Sequence, residues 1–324
     1  MKRPIIIILG EPNSISSEIF LKSLNYIKKT KLNFIIIGNY SLLEKQANYL
    51  DFKINVKFKL SEINSLENVK FNFINVDYKQ SKPFNLKTNN SDTFVKKCFE
   101  HAVILLKKKL AIGLINLPIN KSKFTKNKYK GITEYIADKT NNRNKENMLL
   151  FNENFSVCPG TTHIRINNVS NLLNSKTIYK NINNIYNFYR NIIGIKNPKI
   201  AILGLNPHSG VDFKGNTEER KIIIPLLKKI KRKFNLSGPI SPDSSFANIK
   251  TNKVDCILGH YHDQVLTTFK YINGLNAINI TLGLPFLRIS PDHGTAKDIV
   301  GQNKASPKSF LYALEFFEKY HKVI

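Results

Sequence analysis

Tryptophan is absent from the 324-residue chain, and cysteine and histidine are scarce, with three and seven copies. Cys98, Cys158 and Cys256 lie far apart and form no CxxC motif, so we expect a reducing, cytoplasmic location and thiols of no special role. No apolar run approaches the roughly 18 residues that a membrane helix needs. Residues 5–9 are apolar, but Gly10-Glu11-Pro12 ends that run too early for a signal peptide, so we interpret it as a first strand.

Two nucleotide-binding motifs are also missing. Neither GxGxxG nor the P-loop pattern occurs, so no Rossmann fingerprint and no P-loop can be assigned. Acidic residues are few beside basic ones, and the net charge of +27 is typical of nucleic-acid binders. The lysines, however, are spread along the chain, and Lys, Asn and Ile are all abundant, as AT-rich coding favours. We therefore expect no nucleic-acid partner, while a preference for anionic small substrates is compatible with the charge.

Short apolar runs alternate with helical patterns along the chain. The runs are residues 5–9, 34–38, 71–76, 111–117, 199–205, 254–259 and 277–282. This alternation predicts an α/β fold with a mostly parallel sheet covered on both faces, and the length suggests two domains or one large unit. Residues 120–154 show little periodicity and are expected to form a linker or loop region. Loops that follow the apolar runs are candidates for one shared cleft, since ligands bind beyond the carboxyl ends of such strands.

Three histidines stand in separate loops that follow apolar runs. They are His163 in Thr-Thr-His, His208 in Asn-Pro-His-Ser-Gly and His262 in Tyr-His-Asp-Gln. Imidazole is the commonest ligand for zinc-like ions, and three protein ligands with an open fourth position is the catalytic arrangement. The alternative is that each is a loop histidine bonded to backbone. The shared context favours a metal site, which only the fold could assemble across such long separations.

A second set of candidates lies in the C-terminal half. Lys270, Asn279 and Arg288 supply a point charge, a neutral donor and a planar fork, which together suit a doubly anionic ligand. For Lys270, an unrelated surface position is the credible alternative in so lysine-rich a chain. That alternative is weaker for Arg288, because arginine is rare and this one lies between an apolar strand and a turn.

Several longer motifs run in order along nearly the whole chain. They are Gly10-Glu11-Pro12, Pro118-Ile119-Asn120-Lys121, Gly131-Ile132-Thr133-Glu134-Tyr135, Thr161-Thr162-His163, Gly204 to Gly210, Gly238-Pro239, Tyr261 to Gln264 and Asn279 to Ala296. Together they resemble the 4-hydroxythreonine-4-phosphate dehydrogenase family. The resemblance implies a two-lobed α/β fold like that of isocitrate and isopropylmalate dehydrogenases, with mostly parallel sheets, an interlobe cleft and an obligate homodimer. We expect residues 1–135 and 296–324 to form the first lobe, and residues 136–295 the second.

The resemblance also implies roles for particular residues. The metal ligands would be His163, His208 and His262, with one contributed across the dimer interface to a zinc, magnesium or cobalt ion. The substrate residues would be Thr133, Lys270, Asn279 and Arg288. The candidates for NAD or NADP binding begin the block 293–304 and are His293, Gly294 and Thr295. The candidates for the general base are, by position only, Asp243, Asp263 and Lys121, with loop capping as the alternative for the aspartates.

The reaction that the resemblance implies is NAD-dependent, metal-assisted oxidation of 4-phosphohydroxy-L-threonine at C3. The resulting β-keto acid would decarboxylate to 3-amino-2-oxopropyl phosphate, a step of pyridoxal 5'-phosphate biosynthesis. Three alternatives stay open. They are a related dehydrogenase of 4-phospho-D-threonate or 4-phospho-D-erythronate, a metal hydrolase that needs no nicotinamide, and a basic nucleic-acid binder.

Four positions depart from the family's usual pattern. Ile132 stands where Gly-His-Thr-Glu usually has its histidine, so a hydrogen-bonding contact to the substrate is lost. Asn13-Ser14 replaces a small Ala-Gly pair, and Val211 stands where an acidic residue is common. These changes are compatible with drift in a biased genome, with an altered substrate preference or with weakened activity.

Overall fold

The computed structural model describes residues 3–87, 91–120, 129, 131–247 and 253–323. They belong to two units, the first comprising Met1–Asn144 with Leu284–Lys322 and the second Lys145–Gly283. These limits lie near the lobe boundaries expected from the sequence without coinciding with them. The helix Ile132–Lys139 packs into the first core, and the strand Leu287–Pro291 pairs with a strand of the first unit, which explains why both segments belong there.

The secondary structure alternates strands and helices. The strands are β1 (Ile5–Ile8), β2 (Phe34–Gly38), β3 (Lys59–Leu60), β4 (Phe71–Asn75), β5 (Gly113–Asn116), β6 (Asn147–Phe151), β7 (Ser156–Pro159), β8 (Lys199–Leu203), β9 (Asn235–Ile240), β10 (Cys256–Gly259), β11 (Ile278–Leu282) and β12 (Leu287–Pro291). The α-helices are α1 (Ser16–Lys29), α2 (Tyr40–Tyr49), α3 (Ser91–Lys107), α4 (Ile132–Lys139), α5 (Val169–Leu172), α6 (Ser175–Phe188), α7 (Ile224–Ile230), α8 (Pro242–Ser245), α9 (His262–Asn273) and α10 (Lys308–Tyr320). Short 3-10 segments are Ile166–Asn168, Pro207–Gly210 and Lys297–Ile299, and π-helical turns are Tyr189–Ile193 and Glu219–Ile223. No helix among the described residues is long and apolar enough to span a membrane.

Parallel pairing organises the first unit. Its strands lie in the order β3-β4-β2-β1-β5-β12, and each pairing is parallel. β1 consists of four buried isoleucines, as expected for a central parallel strand that is covered on both faces. In this sheet β2 lies on one side of β1 and β5 on the other, so the strand order reverses at β1. This reversal makes the crevice beyond the carboxyl ends of β1 and β5 the expected ligand-binding position.

The second unit has a mixed sheet. Its strands follow the order β11-β6-β7-β10-β8-β9, in which β7, β10, β8 and β9 run parallel and β6 is antiparallel to both neighbours. The loops that follow the four parallel strands therefore share one edge. The predicted α/β class with a mostly parallel sheet is confirmed. The expected loop region at 120–154 was wrong in part, because α4 and β6 form within it.

Candidate active site

The predicted metal ligands lie at the carboxyl edge of the parallel strands in the second unit. His163 follows β7, His208 follows β8, and His262 follows β10 as the first residue of α9. Val265 and Phe269 anchor α9 in the core of this unit. The buried face of the helix therefore fixes the position at which His262 leaves the sheet.

His163 and His262 lie side by side. Their ring centroids are 5.9 Å apart, and the ring planes are tilted by 40°. The two loops are joined by Thr161, whose N–H and Oγ1 donate to the carbonyl of His260 at 3.0 and 2.7 Å. His260 is buried, with Nε2 2.7 Å from the carbonyl of Leu203, and burial lowers its pKa. His260 thus supports the loop, while His163 and His262 are the pair that faces one another.

Carboxylates bind the Nδ1 atoms of two predicted ligands. His262 Nδ1 is 2.7 Å from Asp263 Oδ1, and His208 Nδ1 is 2.5 Å from Asp212 Oδ2. The hydrogen bond with Asp212 raises the pKa of His208. A carboxylate at Nδ1 fixes the ring orientation and leaves Nε2 as the nitrogen that can ligate an ion. This donor set fits a divalent, zinc-like metal.

A complete three-ligand group is not assembled among the described residues. In that part of the chain, no three His, Cys, Asp or Glu side chains are grouped closely enough to hold a metal ion. The structure therefore brings His163 and His262 together, whereas His208 does not join them in one group. The assignment of all three histidines to one ion stays a prediction.

The loop that carries His208 has an unusual backbone. His208 and Ser209 have φ angles of 49° and 55°, in the left-handed region that non-glycine residues seldom adopt. Fully buried Glu219 holds the loop: its Oε1 accepts from the N–H groups of Leu205 and Asn206 at 2.7 and 2.9 Å. Burial raises the pKa of Glu219, but the hydrogen bonds together bring it below the ordinary value. Nothing in the local sequence distinguishes Glu219 from a glutamate at the start of a helix, so its role could not be predicted.

In the first unit, Arg288 lies at the centre of a buried polar cluster. It is 3% exposed on β12, and its Nε donates to Asn116 Oδ1 at 2.8 Å while its Nη1 donates to Thr133 Oγ1 at 3.3 Å. Burial lowers the pKa of Arg288 to about 10, and the charge of Glu134 opposes that shift. Arg288 remains a cation at neutral pH. The structure thus brings together two predicted substrate residues and adds Asn116, a polar residue at the end of an apolar strand.

The two other predicted substrate residues belong to the second unit. Lys270 is exposed in the last turn of α9, and Asn279 is half-buried on β11. Their proposed roles stay predictions, because each unit is described by itself.

The base candidates differ in their surroundings. Asp263 bonds to His262, as described above. Asp243 follows β9 and accepts from Ser241 Oγ at 2.6 Å and from the N–H of Ser244 at 2.9 Å, and these bonds lower its pKa. Such local bonds are those of a turn-capping aspartate, the alternative that the sequence left open. Lys121 lies outside the described residues.

The predicted cofactor residues follow β12 at the carboxyl edge of the first unit. The N–H of Ile15, in the loop after β1, donates to the carbonyl of Thr295 at 3.3 Å. Buried Glu18 accepts from the N–H of Ala305 at 2.6 Å, which anchors the end of the same block on α1. His293-Gly294-Thr295 therefore lies beside the β1 loop, near the strand-order reversal where ligands bind in such sheets.

Ile132, which stands at a usual histidine position, is a core residue. It is 3% exposed and belongs to the apolar cluster of the first unit with Tyr135 and Ile136. It is also the first residue of α4, directly before Thr133. The isoleucine that stands at the usual histidine position is therefore accommodated by apolar packing.

The other departures make contacts of their own. Asn13 and Gln80 form a reciprocal amide pair, with N–O distances of 3.0 and 3.1 Å. Val211 is exposed, and the carboxylate that bonds His208 comes from the next residue, Asp212. The loop therefore has an acidic side chain at position 212 rather than at position 211.

Known proteins resemble the chain over nearly its full length. The family model for the pyridoxal phosphate biosynthetic protein PdxA matches residues 30–317. The chain belongs to the PdxA family. One relative, a 4-hydroxythreonine-4-phosphate dehydrogenase of Sulfurihydrogenibium sp. (strain YO3AOP1), is 35% identical over 312 residues, which cover 95% of both chains. Another, provisionally named a D-threonate 4-phosphate dehydrogenase, from Oceanobacillus iheyensis, is 32% identical over 97% of this chain and 96% of the relative.

Solved structures agree with the PdxA assignment. The 4-hydroxythreonine-4-phosphate dehydrogenase of Klebsiella pneumoniae superimposes with a TM-score of 0.79 at 27% identity, covering 97% of this chain and 98% of that one. Isocitrate dehydrogenase of Methylococcus capsulatus gives a TM-score of 0.52 at 10% identity over 98% and 85% of the two chains. The second likeness concerns the fold alone. It confirms the expected isocitrate dehydrogenase-like fold class.

Proposed function

We propose that this PdxA-family chain catalyses the NAD(P)-dependent, divalent-metal-assisted oxidation of 4-phosphohydroxy-L-threonine at C3. The β-keto acid would then decarboxylate to 3-amino-2-oxopropyl phosphate, a step of pyridoxal 5'-phosphate biosynthesis. The observation that carries the proposal is the 35% identity, over 95% of both chains, to a relative named 4-hydroxythreonine-4-phosphate dehydrogenase.

The surroundings of Arg288 support binding of an anionic group. Its guanidinium is buried and oriented by Asn116 and Thr133, so little side-chain freedom is lost when a ligand binds. A planar, desolvated cation is suited to phosphate or carboxylate, which can accept two parallel hydrogen bonds. We propose that Lys270 and Asn279 contact the same substrate.

We propose that His163 and His262 bind a zinc, magnesium or cobalt ion, with His208 of a second copy completing the site. The facing rings of the first two, and the carboxylates at Nδ1 of His262 and His208, support this assignment. Such an ion would supply Lewis acidity that lowers the pKa of the substrate hydroxyl and stabilises negative charge left by decarboxylation.

The proton of the C3 hydroxyl has to pass to a base of the protein. Asp243, Asp263 and Lys121 stay the candidates, and Asp263 is the one in contact with a proposed metal ligand. A bound nicotinamide would supply the hydride acceptor. We propose that His293, Gly294 and Thr295 hold it, which their place beside the β1 loop supports.

A homodimer is the proposed assembly. Large apolar side chains are exposed on segments that flank the histidine loops of the second unit, namely Ile166, Leu172, Val211 and Phe213. Burying them against a second copy would remove them from water and could bring a third histidine to each site. The three cysteines are buried free thiols, which supports a reducing, cytoplasmic location.

A second substrate class is favoured by one specific residue. Ile132 cannot donate a hydrogen bond, and a relative at 32% identity is provisionally named a D-threonate 4-phosphate dehydrogenase. Oxidation of 4-phospho-D-threonate, or of 4-phospho-D-erythronate, would use the same kind of anion site and the same cofactors.

The deciding experiment is an assay of NADH or NADPH formation by purified, metal-replete protein. 4-Phosphohydroxy-L-threonine and 4-phospho-D-threonate are supplied in parallel. Turnover of the first supports the proposed function, and turnover of the second alone assigns the chain to the sugar-acid class. If neither substrate reduces either nicotinamide, the dehydrogenase proposal is refuted.

A further inference from the structure

Glu219 stands apart from the proposed ligands yet organises the loop of one of them. We propose that Glu219 is a positioning residue for metal binding, which fixes residues 204–210 so that the imidazole of His208 is presented for coordination. This inference rests on the proposed metal function. Glu219 itself does not contact the metal in this proposal and acts only through the loop.

The contacts of the two carboxylate oxygens support this role. Oε1 accepts from the consecutive backbone N–H groups of Leu205 and Asn206, at 2.7 and 2.9 Å, directly after β8. Oε2 accepts from the side-chain Nδ2 of Asn206 at 3.0 Å. The fully buried carboxylate of Glu219 therefore accepts hydrogen bonds from both the backbone and the Asn206 side chain, at the point where the chain turns toward His208.

The amide of Asn206 is locked between two carboxylates. Its Nδ2 donates to Glu218 Oε2 at 2.8 Å as well as to Glu219 Oε2. The amide cannot rotate by half a turn, because its oxygen would then face two acceptors. A glutamine at position 219 would disturb this arrangement in either orientation of its amide. If its oxygen accepts from the backbone N–H groups, its nitrogen faces the donor Nδ2 of Asn206. If the amide is turned over, its nitrogen faces the backbone N–H groups instead.

The rest of the loop packs tightly against Glu219. A Cβ on Gly210 would lie 2.5 Å from Glu219 Oε2, and one on Gly204 would lie 2.6 Å from the Cα of Ser209. Between these glycines, His208 and Ser209 adopt the left-handed backbone. Such a conformation persists only where its surroundings determine it. We infer that the Glu219 contacts keep the turn in place, and that the His208 ring then reaches Asp212.

The test measures metal affinity directly, with Co²⁺ alone as the probe and isothermal titration calorimetry as the readout on full-length protein. Glu219→Gln should weaken Co²⁺ binding by about 10-fold or more, the loss typical of groups that support a metal ligand. Glu18→Gln is the matched control, because Glu18 is also fully buried and accepts a backbone N–H, from Ala305. It should leave Co²⁺ affinity unchanged.

A double-mutant cycle with His208→Ala separates positioning from a general defect. If Glu219 acts through His208, then Glu219→Gln should cause no further loss in the His208→Ala background. Unchanged affinity in Glu219→Gln, or a loss that adds fully to that of His208→Ala, overturns the positioning role while the metal proposal stands. If His208→Ala itself leaves Co²⁺ binding intact, the proposed metal function fails, and with it this inference.

A second variant guards against failure to fold. Asn206→Ala removes the side-chain bond to Glu219 and leaves its two backbone bonds in place. It should produce a smaller loss of Co²⁺ affinity than Glu219→Gln, again absent in the His208→Ala background. Glu219→Asp keeps the carboxylate on a side chain that is one methylene shorter. The proposal is overturned if Asn206→Ala and a folded Glu219→Asp variant both bind Co²⁺ with wild-type affinity.

Discussion

Replacing Ile132 with histidine, the residue usual at this position of the family, should destabilise the first unit. Ile132 is 3% exposed at the start of α4 and packs into an apolar cluster with Tyr135 and Ile136. A histidine at this position would lose the apolar contacts of isoleucine. It would also bring two ring nitrogens into surroundings that the isoleucine fills with methyl groups.

Two contributions set the size of the effect. Full burial of an isoleucine side chain is worth about 1.5–3 kcal/mol, and the imidazole regains only part of that. A buried polar group without a partner costs about 1–3 kcal/mol. The free energy of unfolding should therefore fall by about 2–5 kcal/mol, a large share of the roughly 5–15 kcal/mol that stabilises a typical domain.

Urea unfolding followed by circular dichroism measures the change. Ile132→Val is the matched control, because it removes one methylene from the same site and should cost only about 0.5–1.5 kcal/mol. If Ile132→His unfolds at the same urea concentration as wild type, the reasoning from core packing is refuted. Increased turnover of 4-phosphohydroxy-L-threonine in that same stable variant would show that position 132 acts on the substrate.

Three further predictions concern residues of the candidate site and its supporting contacts. Arg288→Ala should raise KM by about 10-fold or more with a smaller change in kcat, since it removes a charged ground-state contact, and steady-state kinetics with either substrate tests this. Gly210→Ala should lower the free energy of unfolding by about 1–3 kcal/mol, because φ is 73° and the new Cβ would lie 2.5 Å from Glu219 Oε2; an unchanged urea midpoint would contradict it. Because the folded-state pKa of Glu219 lies below its ordinary value of 4.5, its contribution to stability is complete above that pH and is lost as pH falls through the folded pKa. Urea midpoints should therefore fall below about pH 4.5, and fall less in Glu219→Gln.

The apolar runs of the sequence predicted strands well where the strands are parallel and buried on both faces. Runs 5–9, 34–38 and 254–259 correspond to β1, β2 and β10, because such strands consist of continuous apolar residues. β6 was missed since it lies in a Lys- and Asn-rich region with little periodicity. The segment before α7 is π-helical from Glu219 to Ile223, a distinction that apolar spacing does not encode.

The sequence was enough to propose candidate site residues, but not the contacts between them. Loop context and motif order singled out His163, His262, Thr133 and Arg288, and the structure pairs the first two and the last two. Asn116 escaped notice because it is 172 residues away from Arg288 along the chain, and only the pairing of β5 with β12 brings them together. Periodicity relates residues within one helix or strand, so it cannot identify a partner that only the pairing of distant strands brings close.

Two departures from the family pattern differ in their physical consequences. Val211 is not acidic, but the next residue, Asp212, lies 2.5 Å from His208 Nδ1 beside the left-handed turn. At Ile132 the core simply accepts an apolar side chain, and no donor replaces the usual histidine at that position. The histidine loop therefore contains a carboxylate that bonds its ring, whereas the segment next to Thr133 lacks the usual hydrogen-bonding side chain at position 132. Any difference from other family members should accordingly be larger in substrate preference than in metal requirement. Two measurements on this protein and on another family member test that asymmetry. The ratio of KM values for the two phosphorylated substrates should differ between the proteins by a larger factor than their Co²⁺ affinities do.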